Sequence, residues 1–140
     1  MESLAESEKN IIDDFEIFES DWSQIYEQII DEGKKLPPLD VQYHTDLFKI
    51  KGCQSSVWLH TTYTGTVVQF AASSDSVFVK GLISLLIRVL NNRTPQEIIN
   101  AKLNFIDEIG LRQHMAQTRT NGLAAMIDTM KAAAKTYINI

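Results

Sequence analysis

Residues 47–73 read LFKIKGCQSSVWLHTTYTGTVVQFAAS and decide the fold of this chain. Apolar and polar side chains alternate along them with a period of two, which is typical of β-strands with one buried face. Residues 57–63 and 67–72 are rich in β-branched and aromatic types, and the Thr-Gly pair between them suits a tight turn. Residues 47–51 continue the alternation on the other side of a second turn. We therefore expect three antiparallel strands.

Helical patterns precede this stretch. Apolar residues at helical spacing predict a first amphipathic helix over residues 6–19. Ser20 or Asp21 is expected to cap a second helix at its start, and Gly33 is expected to end that helix as a C-cap. Two consecutive prolines then prevent the helix from continuing and predict an extended connection to the strands.

Helical patterns also follow the stretch. A Ser-Asp-Ser run offers N-caps for a helix over residues 77–90, and because this helix is apolar on most of its circumference we expect it in the middle of the core, against the sheet. A capping box begins a short helix at Thr94, and the last helix begins near Thr118. These elements predict a single α+β domain over residues 1–140, with an antiparallel sheet packed against helices.

Composition excludes several classes of function. The chain has 140 residues, enough for one domain with a real core. Its net charge is -5 and its basic residues are dispersed, so no nucleic-acid partner is expected. The acidic, polar start does not resemble a signal peptide, and no apolar run reaches the roughly 20 residues that span a bilayer, so no membrane association is expected. A single cysteine fits a reducing compartment, and we expect a cytoplasmic protein.

Cys53 is the only cysteine and lies at the tip of the second turn. One cysteine is too few for a structural zinc site or an iron–sulfur cluster, so no metal is expected. The preceding Gly52 can adopt a positive φ and bring the thiol out of the turn. Lys49 and Lys51 add positive potential nearby, and we expect the thiol to be more acidic than free cysteine whenever it is exposed.

Three interpretations of this thiol are open. Cys53 packs as a small buried apolar residue, as free cysteines often do. Alternatively, it is the nucleophile of an independent thiol enzyme with a histidine base, for which His60 on the adjacent strand is the nearest candidate. His44 and His114 read as ordinary surface residues. In the third interpretation the thiol carries sulfur as a persulfide, which needs one cysteine on a mobile loop and no second cysteine to resolve it.

Four motifs decide among these interpretations. They are Gly52-Cys53-Gln54-Ser55-x-Val57-Trp58, Ser74-Asp75-x-x-x-x-Lys80-Gly81-Leu82, Thr94-Pro95, and Thr118-Arg119-x-x-Gly122-Leu123-x-x-Met126-Ile127. Together they resemble the SufE family of cysteine-desulfurase sulfur acceptors over nearly the whole chain. The resemblance implies an α+β fold shared with IscU-like iron–sulfur scaffold proteins.

The resemblance also implies a function. A SufE-like protein accepts sulfane sulfur from a group II (SufS-like) cysteine desulfurase, stimulates its turnover, and passes the sulfur toward iron–sulfur scaffold proteins. It acts as a sulfur-transfer partner rather than a stand-alone enzyme. The pyridoxal phosphate belongs to the desulfurase, so this chain is expected to need no cofactor of its own. Both a monomer and a homodimer stay open.

The resemblance assigns roles to individual residues. Cys53 matches the family's acceptor cysteine, and Gly52, Gln54 and Ser55 would shape the acceptor turn. Arg119, at the start of the final helix, matches a basic residue implicated in the desulfurase contact.

Asp75 matches a position associated with control of the cysteine loop, although it also has the purely structural interpretation of a helix cap. Ser73 stands where family members often carry a second acid, so loop control by paired acids does not transfer to this chain.

At rest, Cys53 is expected to be shielded from oxidation by the apolar residues beneath the turn. These residues are Phe48, Ile50, Val57, Trp58 and Leu59.

Overall fold

The computed structural model describes residues 2–138 as an α+β fold. In chain order the elements are α1 (Leu4–Glu16), α2 (Trp22–Lys34), β1 (Val57–Tyr63), β2 (Val68–Ser74), α3 (Val77–Leu90), α4 (Pro95–Asn100), α5 (Phe105–Glu108), α6 (Leu111–His114) and α7 (Gln117–Lys135). Two short 3-10 helices, Val41–Tyr43 and Asp46–Phe48, precede β1. Within the described residues, no helix is both long and apolar enough to cross a membrane.

The sheet is an antiparallel pair. β1 and β2 run in register from Val57 opposite Ser74 to Tyr63 opposite Val68. Every second residue faces the core, so that Val57 and Phe70, for example, are buried. The alternation in the sequence thus predicted both strands, because one face of the pair packs against α3 while the other is less buried and is partly covered by the rings of residues 43, 44 and 48.

The prediction of a third strand is wrong, since the sheet within residues 2–138 has two strands. Part of residues 47–51 belongs to the 3-10 helix Asp46–Phe48, and only Lys49 forms an isolated bridge, to Trp58. The N–H of Ile50 donates to the carbonyl of Val57 at 2.8 Å, and the chain then leaves the sheet at Gly52 with φ +93°. A wide loop over residues 51–56, rather than a tight turn, separates the two segments, so they cannot keep pairing. The alternation of apolar and polar residues around Ile50 therefore belongs to a connecting segment that pairs with β1 at a single bridge.

Helix α3 forms the centre of the core. Most of its residues are buried, as its nearly uniform apolar sequence predicted, and it packs against α2, β2 and α7. Ser76 is its N-cap, with the side-chain oxygen accepting from the N–H of Val79 at 3.3 Å. The predicted capping box is also present: Thr94 and Glu97 exchange bonds at the start of α4.

The first helix differs from its expected bounds. It begins at Leu4 because Ser3 and Glu6 form a capping box. It ends at Glu16 because the chain then turns, with Glu19 and Ser20 at positive φ. Asp21, one of the two predicted caps, caps α2.

Gly33 is not the C-cap of α2. It is a buried residue inside the helix, which continues to Lys34. A Cβ placed at Gly33 would lie 2.8 Å from the backbone nitrogen of Gly81 on α3, and a Cβ at Gly81 would overlap the carbonyl group of Ile29. The two glycines therefore let the backbones of α2 and α3 touch where they cross. In the sequence, a glycine near the end of a helix looks the same whether it caps the helix or lies at such a crossing.

Candidate functional site

The loop that carries Cys53 lies on helix α7. Gly52 has φ +93°, a conformation that glycine adopts without strain. A Cβ at this position would also come within 3.1 Å of the Cβ of Ala125. Glycine is therefore required twice, once for the backbone turn and once for the close approach to α7.

The thiol itself rests against the same helix. Cys53 is half-buried, and its Sγ lies 3.5 Å from the carbonyl oxygen of Gly122, to which it donates. A Cβ at Gly122 would lie 3.6 Å from this sulfur. The sulfur therefore lies within van der Waals distance of the position that a Cβ at Gly122 would occupy.

Burial raises the pKa of the Cys53 thiol. The direction is opposite to the acidic thiol expected for an exposed turn, because the sulfur is partly withdrawn from water while Lys49 and Lys51 are exposed. A raised pKa reduces the fraction of thiolate, the strongly nucleophilic form, and so lowers the reactivity of the resting thiol.

A pocket of about 200 Å³ opens beside the thiol. Its lining comes from the loop, α3 and α7: Cys53, Gln54, Ser55, Val79, Leu82, Ala116, Thr118, Arg119, Gly122 and Met126. None of the five residues expected to shelter the thiol, Phe48, Ile50, Val57, Trp58 and Leu59, lines this pocket, although Ile50, Val57 and Leu59 belong to the core cluster on which Cys53 packs. Phe48 packs with Tyr43 and His60. The walls of the pocket itself come largely from two helices distant in sequence.

Arg119 lies at the pocket on the first turn of α7. Its guanidinium carbon is 4.6 Å from the centroid of the Phe78 ring and 6.0 Å from that of Tyr26. Of the residues singled out from the sequence, Cys53, Gln54, Ser55 and Arg119 share the pocket. The fold thus brings the thiol and a guanidinium group to one cavity.

Asp75 lies outside the pocket and holds the far end of the loop. Its Oδ1 accepts a hydrogen bond from the N–H of Ser56 at 3.0 Å, and its own N–H donates to the carbonyl of Ser56 at 3.2 Å. The hydroxyl of Ser74 donates to the same carbonyl at 2.7 Å. The cap interpretation of Asp75 is wrong, because Ser76 caps α3. Ser73 pairs with Trp58 in the sheet.

The three histidines stack on aromatic rings and do not line the pocket. His60 stacks on Tyr43 with ring centroids 3.8 Å apart, His44 stacks on Trp58, and His114 stacks on Trp22. None of them lines the pocket, and the hydrogen bond of the thiol goes to a backbone carbonyl. The thiol–histidine pair of a cysteine hydrolase is thus not formed among residues 2–138.

Metal binding finds no support in the same part of the chain. Between residues 2 and 138, no group of three or more His, Cys, Asp or Glu side chains is placed to hold an ion. The lone thiol and the guanidinium of Arg119 are the wrong donor set for a structural zinc site.

Sequence reasoning missed several residues of the site. Gly122 had a detectable signal, since a glycine inside a helix costs about 1 kcal/mol relative to alanine and so suggests a close approach. Leu82 and Met126, like Gly122, were part of the quoted motifs but had no role assigned, and Val79 read only as a core residue. Phe78 and Tyr26 also read as core, because a pattern of apolar spacing does not show which ring lies beneath a cation.

A protein-family model matches the part of the chain that forms the pocket. The family model SufE, described as an Fe-S metabolism associated domain, matches residues 9–134. The match includes the loop of Cys53, the anchor at Asp75 and most of α7.

Curated relatives agree with this match. An uncharacterized SufE-like protein of Rhizobium meliloti is 35% identical over 130 residues, covering 89% of this chain and 92% of that protein. SufE-like protein 1 of Arabidopsis thaliana, named chloroplastic/mitochondrial, is 39% identical over 110 residues. That alignment covers 78% of this chain but 30% of the longer plant protein.

A solved structure shares the fold. The solution structure of a hypothetical protein from Thermus thermophilus superposes with a TM-score of 0.72, covering 93% of this chain and 96% of that one. The two sequences are 20% identical, so this likeness concerns the fold alone.

Proposed function

The chain belongs to the SufE family, and on that premise we propose that it accepts sulfur on Cys53 from a cysteine desulfurase and relays it to iron–sulfur cluster assembly. The observation that carries the proposal is the half-buried lone thiol, which shares a pocket with Arg119 and has no histidine beside it. Such a thiol is suited to receive a group and release it, because no second cysteine in the chain can resolve the product as a disulfide.

The transfer step needs neither an oxidant nor a reductant. The Cys53 thiolate attacks the outer sulfur of a persulfide on the desulfurase. The sulfur–sulfur bond of that donor breaks, its cysteine leaves as a thiolate, and a new sulfur–sulfur bond forms on Cys53 with the persulfide hydrogen retained. The same exchange in the opposite sense then delivers the sulfur to an acceptor.

Access to the donor requires the loop to move. In the resting structure Sγ is half-buried and bonded to the carbonyl of Gly122, so the loop has to leave α7 before the sulfur is presented to a second protein. Gly52 and Ser56 bound the segment that swings outward, since one has an unusual φ and the other is held by Asp75. Leaving the pocket also returns the thiol to water, which lowers its pKa toward the ordinary value and increases the fraction of thiolate.

The proposal specifies the partners. The donor is a group II, SufS-like desulfurase that carries the pyridoxal phosphate and whose turnover this chain stimulates, and scaffold proteins take the sulfur downstream. The chain would not assemble a cluster alone, because clusters are held by several cysteine thiolates and it has one. We place the relay in the cytoplasm, where thiols stay reduced.

An independent thiol enzyme is the weaker alternative. It needs a histidine within hydrogen-bond reach of Cys53, and each histidine is stacked on a ring elsewhere. No observation favours it.

Intact-protein mass spectrometry tests the proposal. The chain is incubated with a group II cysteine desulfurase, pyridoxal phosphate and L-cysteine. We expect a mass gain of whole sulfur atoms that is lost on reduction and is absent from Cys53→Ser and from samples without desulfurase. No gain, with a thiol that reacts only after denaturation, would return Cys53 to the packed interpretation.

A further inference from the structure

The guanidinium of Arg119 rests on aromatic rings. Its central carbon lies 4.6 Å from the centroid of the Phe78 ring and 6.0 Å from that of Tyr26, within the range of cation–π attraction. Phe78 is 1% exposed, so the nearer ring is fixed in the core. Arg119 itself is exposed, so its guanidinium meets solvent on one side and this rigid ring on the other.

Three rings from two helices build that surface. Tyr26 and Phe78 stack with centroids 4.5 Å apart and planes 14° from parallel. Trp22 packs edge-on against both, with centroids 6.1 Å from Tyr26 and 6.2 Å from Phe78. We name Trp22, Tyr26 and Phe78 the aromatic platform. It joins α2 to α3 directly beside the Cys53 pocket, to which α3 contributes Val79 and Leu82.

Arg119 differs from the other arginines of the chain. Arg88 pairs with Asp14 and Glu32, Arg112 pairs with Asp107, and Arg93 is buried and bonded to neighbouring oxygens. For Arg119, no salt bridge or side-chain hydrogen bond is formed within residues 2–138. Ring contact occupies the face of a guanidinium and leaves the N–H donors at its edge. At this pocket those donors are available to an incoming anion.

The position of Arg119 on α7 is unfavourable for a positive charge. A cation in the first turn of a helix is disfavoured by the helix dipole, and Arg119 lies in the first turn of α7. The aromatic platform offsets this by holding the charge from outside the helix. The arrangement keeps a positive group at the pocket of a chain whose net charge is -5.

We propose that the aromatic platform positions Arg119 to recognise an anionic group of the sulfur donor at the mouth of the Cys53 pocket. The inference rests on the proposed function and deepens it by naming the chemistry that the pocket selects. Trp22, Tyr26 and Phe78 are positioning residues, since they act through Arg119 and do not line the pocket. The pocket discriminates among donors by charge before any sulfur moves.

Alkylation of Cys53 measures this selectivity without a desulfurase. Iodoacetate and iodoacetamide are similar in size, but only the first is an anion. In both reactions the thiolate attacks the methylene carbon, a sulfur–carbon bond forms and iodide leaves. The quantity measured is the ratio of the two second-order rate constants for the native protein. A loosened loop changes both rates together and leaves the ratio unchanged, so the ratio responds to charge and not to general exposure.

We expect Arg119→Gln to lower the iodoacetate/iodoacetamide ratio about fivefold, as removal of one charge about 4 Å away in water would do. Tyr26→Leu and Phe78→Leu should lower it part of the way, and Tyr26→Phe should preserve it because the ring remains. Arg112→Gln, which removes an equal charge that pairs with Asp107, is the matched control and should leave the ratio unchanged. Tyr26 is half-buried, so its variants keep the test valid if Phe78→Leu does not fold.

Two results would overturn the proposal. An unchanged ratio in Arg119→Gln would show that Arg119 does not recognise anions at this pocket. A ratio that falls in Arg119→Gln but not in either platform variant would show that the rings do not position it. Since both measurements omit the desulfurase, their failure is distinct from a failure of sulfur acceptance.

Persulfide formation then tests the link to the donor. With desulfurase and L-cysteine, Arg119→Gln and Tyr26→Leu should gain sulfur more slowly than Tyr26→Phe and Arg112→Gln. Equal rates in all four variants would leave an anion-selective pocket that does not act on the sulfur donor, and would overturn that part of the inference.

Discussion

The Oδ1 atom of Asp75 lies 3.0 Å from the backbone nitrogen of Ser56 and accepts its N–H. This bond ties the segment before α3 to the end of the Cys53 loop, 19 residues earlier in the chain. It is exposed to solvent, so it bears on the position of the loop more than on the global stability of the fold. The loop is thus held by a contact that can be removed separately.

Asp75→Ala should make Cys53 more reactive. A hydrogen bond to a charged group contributes about 1.5 kcal/mol, so its loss should raise the population of the open loop and the rate of iodoacetamide alkylation by up to about tenfold. Asp75→Asn keeps an acceptor oxygen and should lie between the variant and the wild type. An unchanged rate in Asp75→Ala would mean that this bond does not restrain the loop.

Gly122→Ala should stabilise the protein. The added Cβ would be 3.6 Å from the sulfur of Cys53, an ordinary contact, while alanine is favoured over glycine inside a helix by up to about 1 kcal/mol. We expect Tm to rise by about 3 °C and alkylation of the resting thiol to slow, because the new methyl group covers it. A lower Tm, measured by calorimetry, would show that the loop cannot accommodate the methyl group.

Gly81→Ala should have the opposite effect on stability. Its Cβ would overlap the carbonyl group of Ile29, backbone that cannot move without separating α2 from α3. Overpacking of this kind costs about 3 kcal/mol or more. Denaturant unfolding, with Gly122→Ala as the matched glycine-to-alanine control, measures the difference. Equal stability of the two variants would contradict the tight crossing.

The pH dependence of alkylation should reveal the raised pKa of Cys53. Free cysteine has a pKa of about 8.5, and burial shifts the pKa of the folded thiol upward. The alkylation rate of the native protein should therefore rise at higher pH than that of the denatured protein. A native profile at or below the denatured one would contradict the burial.

The same shift affects stability with a definite sign. Between the unfolded and the folded pKa the native state holds more protons than the unfolded state, so the free energy of unfolding decreases as pH increases. The contribution is complete below the unfolded pKa and is lost as pH rises through the folded pKa. Wild type should lose stability relative to Cys53→Ser over this alkaline range, as denaturant unfolding at several pH values would show.

Local signals made much of the fold predictable. The bounds of α3 follow from one apolar run after Ser76, and the start of α4 follows from the box formed by Thr94 and Glu97. These features depend on neighbours within a few residues, so a single sequence contains them. The prediction of a third strand failed because a segment with one bridge, at Lys49, shows the same alternation of apolar and polar residues as a fully paired strand.

The site was less predictable. The sequence indicated Cys53 through its glycine and polar neighbours, but the expected acidity applies only to an exposed thiol, and the half-burial of the resting thiol, which raises its pKa, depends on packing against α7 that no local pattern contains. Arg119 was singled out by resemblance, and no spacing rule places it beside a residue 66 positions earlier. Tertiary packing alone brings them together.

The close crossing at Gly33 and Gly81 fixes α2 and α3 relative to each other, and both helices carry parts of the site. One helix carries Trp22 and Tyr26, and the other carries Phe78. A side chain added at the crossing would change the spacing between those rings and thereby displace the charge of Arg119. On the proposed role of Arg119, substitutions at these two glycines, which do not contact the thiol, would alter which donors react before they abolish the reaction.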